Sequence, residues 1–188
     1  MNKLFCILGK SGSGKSTLEK AISETGICKK VVSTTTRPRR EKEIEGVDYY
    51  YITQDEFYRK LRNNEFIEYT VYNNWFYGIE KNAINFDKGS YIVVVEPRGF
   101  NMIVNTLPRE RVVSIFVDVD DKTRLIRSLL REKNPDIDEI VRRYQSDKSL
   151  FNGVEKIVDY VIKNEKIQEA SQELMEIIVS EIGIKKMP

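Results

Sequence analysis

Eight residues near the start of the chain, Gly9-Lys10-Ser11-Gly12-Ser13-Gly14-Lys15-Ser16, carry the G-x-x-x-x-G-K-[ST] spacing of a phosphate-cradling loop. Each residue type suits that chemistry. Gly9, Gly12 and Gly14 lack a Cβ, so the backbone can turn tightly and come close to a polyphosphate. Successive N–H groups then face inward as an anion nest. Lys15 supplies a mobile ammonium for β- and γ-phosphates, and Ser16 offers a hydroxyl to Mg2+. A nucleoside triphosphate is therefore the expected ligand, held by residues 9–16 with Thr17 beside them.

A phosphoryl donor needs an acceptor. Ser33-Thr34-Thr35-Thr36-Arg37-Pro38-Arg39-Arg40 places three arginines within four residues. Such a cluster could meet nucleic acid, but Glu41, Glu43 and Glu45 follow at once and blunt a polyanion site. Arginine forks suit a compact phosphate better, through bidentate charged hydrogen bonds. Further on, Glu68 lies in the stretch Asn64-Glu65-Phe66-Ile67-Glu68-Tyr69, ahead of Trp75-Phe76-Tyr77-Gly78. A carboxylate there could accept two N–H bonds from a purine edge, and burying it without a partner would be costly, which favours a ligand as the partner. The plain alternative makes Glu68 an exposed strand residue. For most of the aromatics, core packing is the reading adopted.

These groups need elements to position them. Residues 4–8, Leu-Phe-Cys-Ile-Leu, read as a buried parallel strand. Residues 16–23 show helical spacing, with Leu18, Ala21 and Ile22 on one face. Strand, glycine loop and helix thus come in the order the loop requires. Further strands are expected at 30–33, 91–96, 112–119 and 159–162, and helices at about 97–107, 120–132, 137–151 and 165–182. That alternation predicts an α/β fold with a parallel sheet flanked by helices, of the P-loop NTPase type. Residues 37–90 break the alternation. A strand at 49–52, a short helix at 54–63 and two antiparallel strands at 65–72 and 75–79 predict a small mixed α+β lobe inserted in the sheet. Thr53-Gln54-Asp55-Glu56 fits a capping box at the helix start. The expected division is a core of 1–33, 89–121 and 147–188, an acceptor-binding lobe of 34–88 and a helical lid of 122–146. The lid segment is dense in charge, and both a solvated hairpin and a lid closing arginines over phosphates fit it.

Bulk properties narrow the chemistry. The 188 residues predict one domain. Basic and acidic side chains, 31 and 29, nearly cancel to a net charge of +2, which gives no ground for nucleic acid or a membrane surface as main partner. No apolar run approaches ~18 residues, so no membrane span is expected. The first residues lack the cleavage region of a signal peptide. Cys6 and Cys28 read as reduced core residues, so the expected compartment is the cytoplasm. The chain has no histidine. Any mechanism with a histidine base, nucleophile or metal ligand is excluded. Phosphoryl transfer survives, because it relies on positioning and electrostatics.

On these motifs the chain resembles the guanylate kinase family from about Lys3 to Ile178. Residues 9–16 resemble its G-x-S-G-x-G-K-[ST], Val32-Ser33-Thr34-Thr35-Thr36-Arg37 its V-S-x-T-T-R, and Gly46-Val47-Asp48-Tyr49 its G-x-x-Y. Glu68 falls in its F-x-E, Tyr77-Gly78 in its Y-Y-G, and Asp159-Tyr160-Val161-Ile162-Lys163-Asn164 resembles its D-x-x-I-x-N. The resemblance implies transfer of the γ-phosphoryl of ATP to GMP with Mg2+, by a monomer or homodimer. It implies that Arg37, Arg40, Tyr49 and Tyr77 hold the GMP phosphate and that Ser33 and Glu68 read the guanine edge. It implies that Arg127, Arg131 and Arg143 clamp the transferring phosphoryl beside Lys15, and that Asn164 contacts ATP.

The departures from the family pattern are local. Counting back from Gly46 and Tyr49 makes Arg40, not Arg39, the second phosphate arginine. Ile79 stands where the family carries Ser or Thr, so one hydroxyl near the acceptor base is expected to be missing. Val94-Val95-Glu96-Pro97-Arg98-Gly99 replaces D-x-D-x-x-G. Counting from Gly99 puts Glu96 at the acceptor base, while its chemistry also fits ordering water on Mg2+. The lid segment 130–134 lacks the family's glycines. A ribose bisphosphate acceptor and a non-catalytic phospho-ligand module are the alternative readings of the same fold.

Overall fold

The computed structural model describes residues 1–41, 43–72, 74–131 and 133–183. Glu132 of the charged lid segment lies outside the described residues. β1 (Leu4–Leu8) is buried at all five positions. Alternate side chains of a strand face opposite ways, and β1 feeds two cores. Phe5 and Ile7 pack with Leu18 and Ile22 of α1 (Lys15–Glu24) and with Ala170, Leu174 and Ile178 of a C-terminal helix (Ile167–Ile182). Leu4, Cys6 and Leu8 pack on the other face with Phe100 and Ile103. A strand covered on both faces has no reason to alternate polar with apolar, which is why its sequence is a solid apolar run.

β1 is the middle of a five-stranded sheet among the described residues. β2 (Cys28–Lys30) and β7 (Ser90–Val94) lie on one side of it, β8 (Val112–Asp118) and β9 (Tyr160–Lys163) on the other, in the order β2-β7-β1-β8-β9. Every pairing is parallel, with Cys6 opposite Val93 and Ser114. The loops after β1 and β7 therefore emerge at one edge, the carboxyl end of the strands, where ligands of such sheets bind.

The second sheet has the order β4-β3-β6-β5, from β3 (Ser33–Thr35), β4 (Tyr49–Tyr51), β5 (Phe66–Tyr72) and β6 (Trp75–Glu80). β5 and β6 pair antiparallel, as the sequence predicts, and β3 runs parallel to β4. The strand expected at 30–33 is in fact two pieces. Cys28–Lys30 stays in the main sheet, where Val31 N donates a last bond to Ile92 O at 3.0 Å. The chain then crosses over, and Ser33, counted above with the core, pairs with Tyr49 in the second sheet. Thr34 and Thr35 explain the crossing. Both are buried, and their hydroxyls find Glu80 Oε1 at 2.6 Å and Phe76 O at 2.9 Å only in that sheet.

α2 (Gln54–Arg62) covers the second sheet. Thr53 Oγ1 accepts from Glu56 N, the N-cap expected of that sequence. Acids fill the first turn and bases the last, which suits the helix dipole. Phe57, fully buried, stacks on Phe66 at 4.4 Å and meets Phe76 at 5.2 Å. α3 (Pro97–Thr106) follows β7. The charged segment forms α4 (Asp121–Leu130) and α5 (Ile137–Leu150), capped by Asp120 and Asp136. The C-terminal helix is α6. Because Phe57 is the main apolar anchor between α2 and its sheet, Phe57→Ala should cost about 3–5 kcal/mol. Denaturant unfolding of the variant checks this.

Candidate active site

The glycine loop joins β1 to α1 in a shape that only its sequence permits. Gly12 and Gly14 have φ of 79° and 91°, the left-handed region that glycine enters at little steric cost. Space is as restrictive as torsion. A Cβ on Gly12 would lie 2.3 Å from Arg124 O, and one on Gly14 would lie 2.4 Å from Asn164 Nδ2. Gly14 is the N-cap of α1 and makes no side-chain cap, and the first turn carries no acid. The amides at that helix end and its positive dipole are therefore left for an anion.

The loop is braced from outside. Asn164, buried after β9, donates from Nδ2 to Ser13 O at 2.8 Å. Lys15 Nζ folds back to Lys10 O at 2.9 Å. Burial pulls the Lys15 ammonium down to about 8, against the upward pull of Asp147 and Glu96. The Ser16 side chain makes no described contact with a neighbour, and Thr17 is likewise exposed at the helix start.

Across from this loop opens a cleft of about 620 Å3. Its donor side is Gly9, Ser11 and Lys15; its far side is Ser33, Arg37, Arg40, Tyr49, Glu68 and Tyr77. Glu96 and Arg143 also line it. Gly9, Ser11 and Lys15 of the donor loop thus share one cavity with the acceptor residues selected from the sequence, while Lys10, Gly12, Ser13, Gly14, Ser16 and Thr17 do not line it. Arg127 and Arg131 do not line it. Arg127 Nη2 donates to Asn164 O at 2.9 Å and Glu165 O at 3.1 Å, and Arg131 is exposed at the end of α4. Ile79 is also absent from the cleft. It is buried with Ile67 and Val95 and lies opposite Glu68 in the β5–β6 register, so it brings no hydroxyl to that part of the cleft wall.

Glu68 owes its placement to a bulge. Phe66 pairs with Glu80 and Glu68 with Ile79, one extra residue on β5. The bulge breaks alternation, so Phe66, Ile67 and Glu68 are all buried in succession. Ile67 joins the core while the Glu68 carboxyl sits by the cleft, against Gly99, where a Cβ would come within 2.9 Å of Oε2. No described side chain or amide donates to it. Burial, and then the charge of Glu96, push its carboxyl up to about 7.

The phosphate arginines behave differently. Arg37 Nη2 binds Glu43 Oε1 at 2.7 Å, beside the Tyr49 ring at 5.5 Å. Glu43 Oε2 also accepts from Arg40 N and from Tyr51 OH, both at 2.8 Å. These donors, the Arg37 hydrogen bond first, hold the Glu43 carboxyl down at about 2. On the lid side, Glu139 takes Arg142 Nε at 2.7 Å and Arg143 Nε at 2.6 Å. Tyr72 of β5 donates to Glu139 and accepts from Arg142 Nη2 at 2.6 Å and Arg143 Nη2 at 2.7 Å.

Several of these residues were not singled out in the sequence. Glu43 stood only among acids said to blunt a polyanion site, and Arg142 only in a charged run. Glu19, buried in α1, accepts from Val94 N at 3.0 Å. Asp147 and Tyr72 gave no signal, since their partners lie far away in the chain.

The model of the guanylate kinase family matches residues 1–181. Guanylate kinase of Fusobacterium nucleatum is 31% identical over 98% of this chain and 99% of its own length. That of Sulfurimonas denitrificans is 30% identical over 98% and 90%. The crystal structure of guanylate kinase from Anaplasma phagocytophilum, 30% identical, aligns over 98% of this chain and 88% of its own with a TM-score of 0.69. Given the intact phosphate loop, the shared cleft and these matches, the chain belongs to the guanylate kinase family.

Proposed function

We infer that the chain transfers the γ-phosphoryl group of ATP to GMP, giving ADP and GDP. The observation that carries this reading is Glu68, a buried carboxyl with no hydrogen-bond donor among the described residues, on the same cleft as the phosphate loop. Leaving such a group unpaired costs stability. A guanine edge would repay it with two N–H donors, and Ser33 stands on the same wall.

The roles follow from position. The loop amides and Lys15 hold the triphosphate. Arg37, Arg40, Tyr49 and Tyr77 hold the acceptor phosphate, which must displace Glu43 from Arg37. Arg143 approaches the migrating group from α5, and Lys15 follows the charge from donor to acceptor. Arg127 and Arg131 would reach it only by a movement of α4; as placed, Arg127 suits the nucleoside end of ATP, whereas Asn164, expected to contact ATP, is buried and acts through the Ser13 carbonyl of the loop. Glu96, whose charge bears on both Lys15 and Glu68, suits the acceptor side. No protein base is needed, because the acceptor phosphate is already an anion.

Mg2+ fits the residues present. No cluster of three acids or thiols that could hold a metal occurs among the described residues, and Ser16 offers a single free hydroxyl at the loop. That is the donor set of an ion held mainly by substrate phosphates. When bound, it would neutralise charge on the β- and γ-phosphates. Among the described residues no helix is long and apolar enough to cross a membrane. Buried thiols at Cys6 and Cys28 agree with a reducing, cytoplasmic setting.

Coupled ADP release measured over GMP, dGMP, AMP, UMP and ribose bisphosphate tests the reaction, with GMP expected to lead. Turnover led by ribose bisphosphate would reassign the acceptor. Lys15→Ala should fold and lose most activity. For the wild type, kcat/KM for ATP should fall as pH rises through about 8, because Lys15 then loses its proton.

Glu68 gives a two-sided test. Its folded pKa of about 7 lies above the unfolded value near 4.5, so the native chain binds the extra proton between those pH values and loses stability as pH rises across them. Glu68→Gln should therefore raise the stability of the unliganded protein at pH 8 by about 1–3 kcal/mol. The same change should raise KM for GMP at least about tenfold, by removing a charged acceptor. In the wild type, KM for GMP should climb as pH drops below 7.

A further inference from the structure

We propose that Asp147 and Arg124 are positioning residues: a buried carboxylate–guanidinium pair that fastens the phosphate loop to both lid helices through the amide of Ser11. The inference rests on the kinase reading above.

Asp147 Oδ2 accepts from Ser11 N at 2.8 Å and from Arg124 Nη1 at 3.0 Å. Both side chains are nearly sealed from solvent, Arg124 at 1% exposure. Arg124 comes from α4 and Asp147 from α5, so one oxygen joins three segments. The guanidinium is fixed on its other sides. Its Nε donates to Asp121 Oδ1 at 2.7 Å, and its Cζ lies 4.2 Å from the centre of the Tyr144 ring. Tyr144 OH in turn donates to Asp121 Oδ2 at 2.8 Å. The α4 backbone presses on the loop at the same place, since Arg124 O is the atom that Gly12 could not clear with a Cβ.

Stability alone does not account for this arrangement. A buried ion pair returns little more than its desolvation cost, and apolar replacements of both members are often neutral. Here the pair is even imperfect, because Arg124 Nη2 has no hydrogen-bond partner among the described residues. What the carboxylate does achieve is a charged hydrogen bond to one amide of the loop that must be preformed around a triphosphate. It also makes the loop's shape depend on where α4 and α5 sit. Asp147 lines the cleft near Lys15, so the tie lies where donor phosphates enter.

The test separates positioning from folding. Arg124→Met removes the buried cation, so Asp147→Asn and Asp147→Ala can be compared in that background without an unpaired charge. Asn keeps an oxygen for the Ser11 amide; Ala does not. ATP binding is measured by calorimetry on the full chain, beginning with the wild type. Failure of the wild type to bind ATP defeats the kinase reading itself. The expected result is ATP binding at least about fivefold weaker for Arg124→Met/Asp147→Ala than for Arg124→Met/Asp147→Asn, the scale of one charged hydrogen bond, at equal melting temperature and with GMP affinity alike in the two. A ratio under about fivefold overturns the proposal. Should a double variant fail to fold, the native chain decides. Its Ser11 amide should exchange with solvent at least about a hundredfold more slowly than an open loop amide, and fast exchange overturns the tie.

Discussion

A phosphoryl group in flight needs several cations within reach and water kept out, yet those cations repel one another when nothing anionic lies between them. This constraint shapes most of the cleft. Three of the four arginines that line it, Arg37, Arg142 and Arg143, are held by internal carboxylates. Arg37 rests on Glu43, and Arg142 and Arg143 rest on Glu139. Arg124, behind the loop, rests on Asp121 and Asp147. The pairs differ in what they can do. Those at Glu139 are the more exposed, and pairs of that kind are worth little net energy. A phosphate can replace the carboxylate at small cost. The pair at Asp147 is buried and serves to fix geometry. Glu43 and Glu139 are both held down at about 2, so what they contribute is complete above their unfolded value near 4.5 and fades as pH falls toward 2.

Glu68 is the inverse case, an acid with no cation. Its burial follows from backbone geometry: the bulge in β5 lets Ile67 enter the core while Glu68 remains beside the cleft. A site that leaves a polar group unsatisfied discriminates strongly, because only a ligand with the matching donors relieves the penalty. The fold tolerates the cost since the surrounding sheet is held by unrelated contacts, among them the Phe57–Phe66 stack and the Thr34 and Thr35 hydroxyl bonds.

What could be read from the sequence was what is local. The phosphate loop, its strand and its helix are contiguous, and their spacing alone places Gly9 through Ser16 at one sheet edge. The helix cap at Thr53 is also local and appears as read. Long-range geometry was less legible. Nothing between residues 28 and 35 marks the step from one sheet to the other, because it is driven by hydroxyl partners more than forty residues away. Ile79 is legible in part: the motif places it beside the acceptor base, and it lies opposite Glu68, while its burial with Ile67 and Val95 depends on elements distant in the chain. Asp147 and Ser11 are 136 residues apart, and neither has a neighbour in sequence that betrays the contact. Arg127 shows the opposite limit: its motif position is clear, but its placement depends on the loop after β9.

The two walls of the cleft are joined at both ends, which bears on how the site can move. At the base, Thr106 Oγ1 of α3 reaches Ile67 O of β5 at 3.3 Å. At the mouth, Tyr72 of β5 meets α5 through Glu139, Arg142 and Arg143, with both guanidinium groups about 5 Å from the Tyr72 ring (5.1 and 5.2 Å). The base contact joins core elements and is fixed. The mouth contact is built from partly exposed side chains, and it uses Arg143, which also faces the cleft. An anion that takes Arg143 must therefore draw it from Glu139 and Tyr72. Substrate binding and the contact between lid and acceptor wall then compete for the same guanidinium, and a ligand shifts that balance only by the difference in its affinity for the two arrangements. Charge that assembles the site in the free protein is thereby the charge that a nucleotide must reorganise, and the weakness of exposed ion pairs keeps that reorganisation within reach.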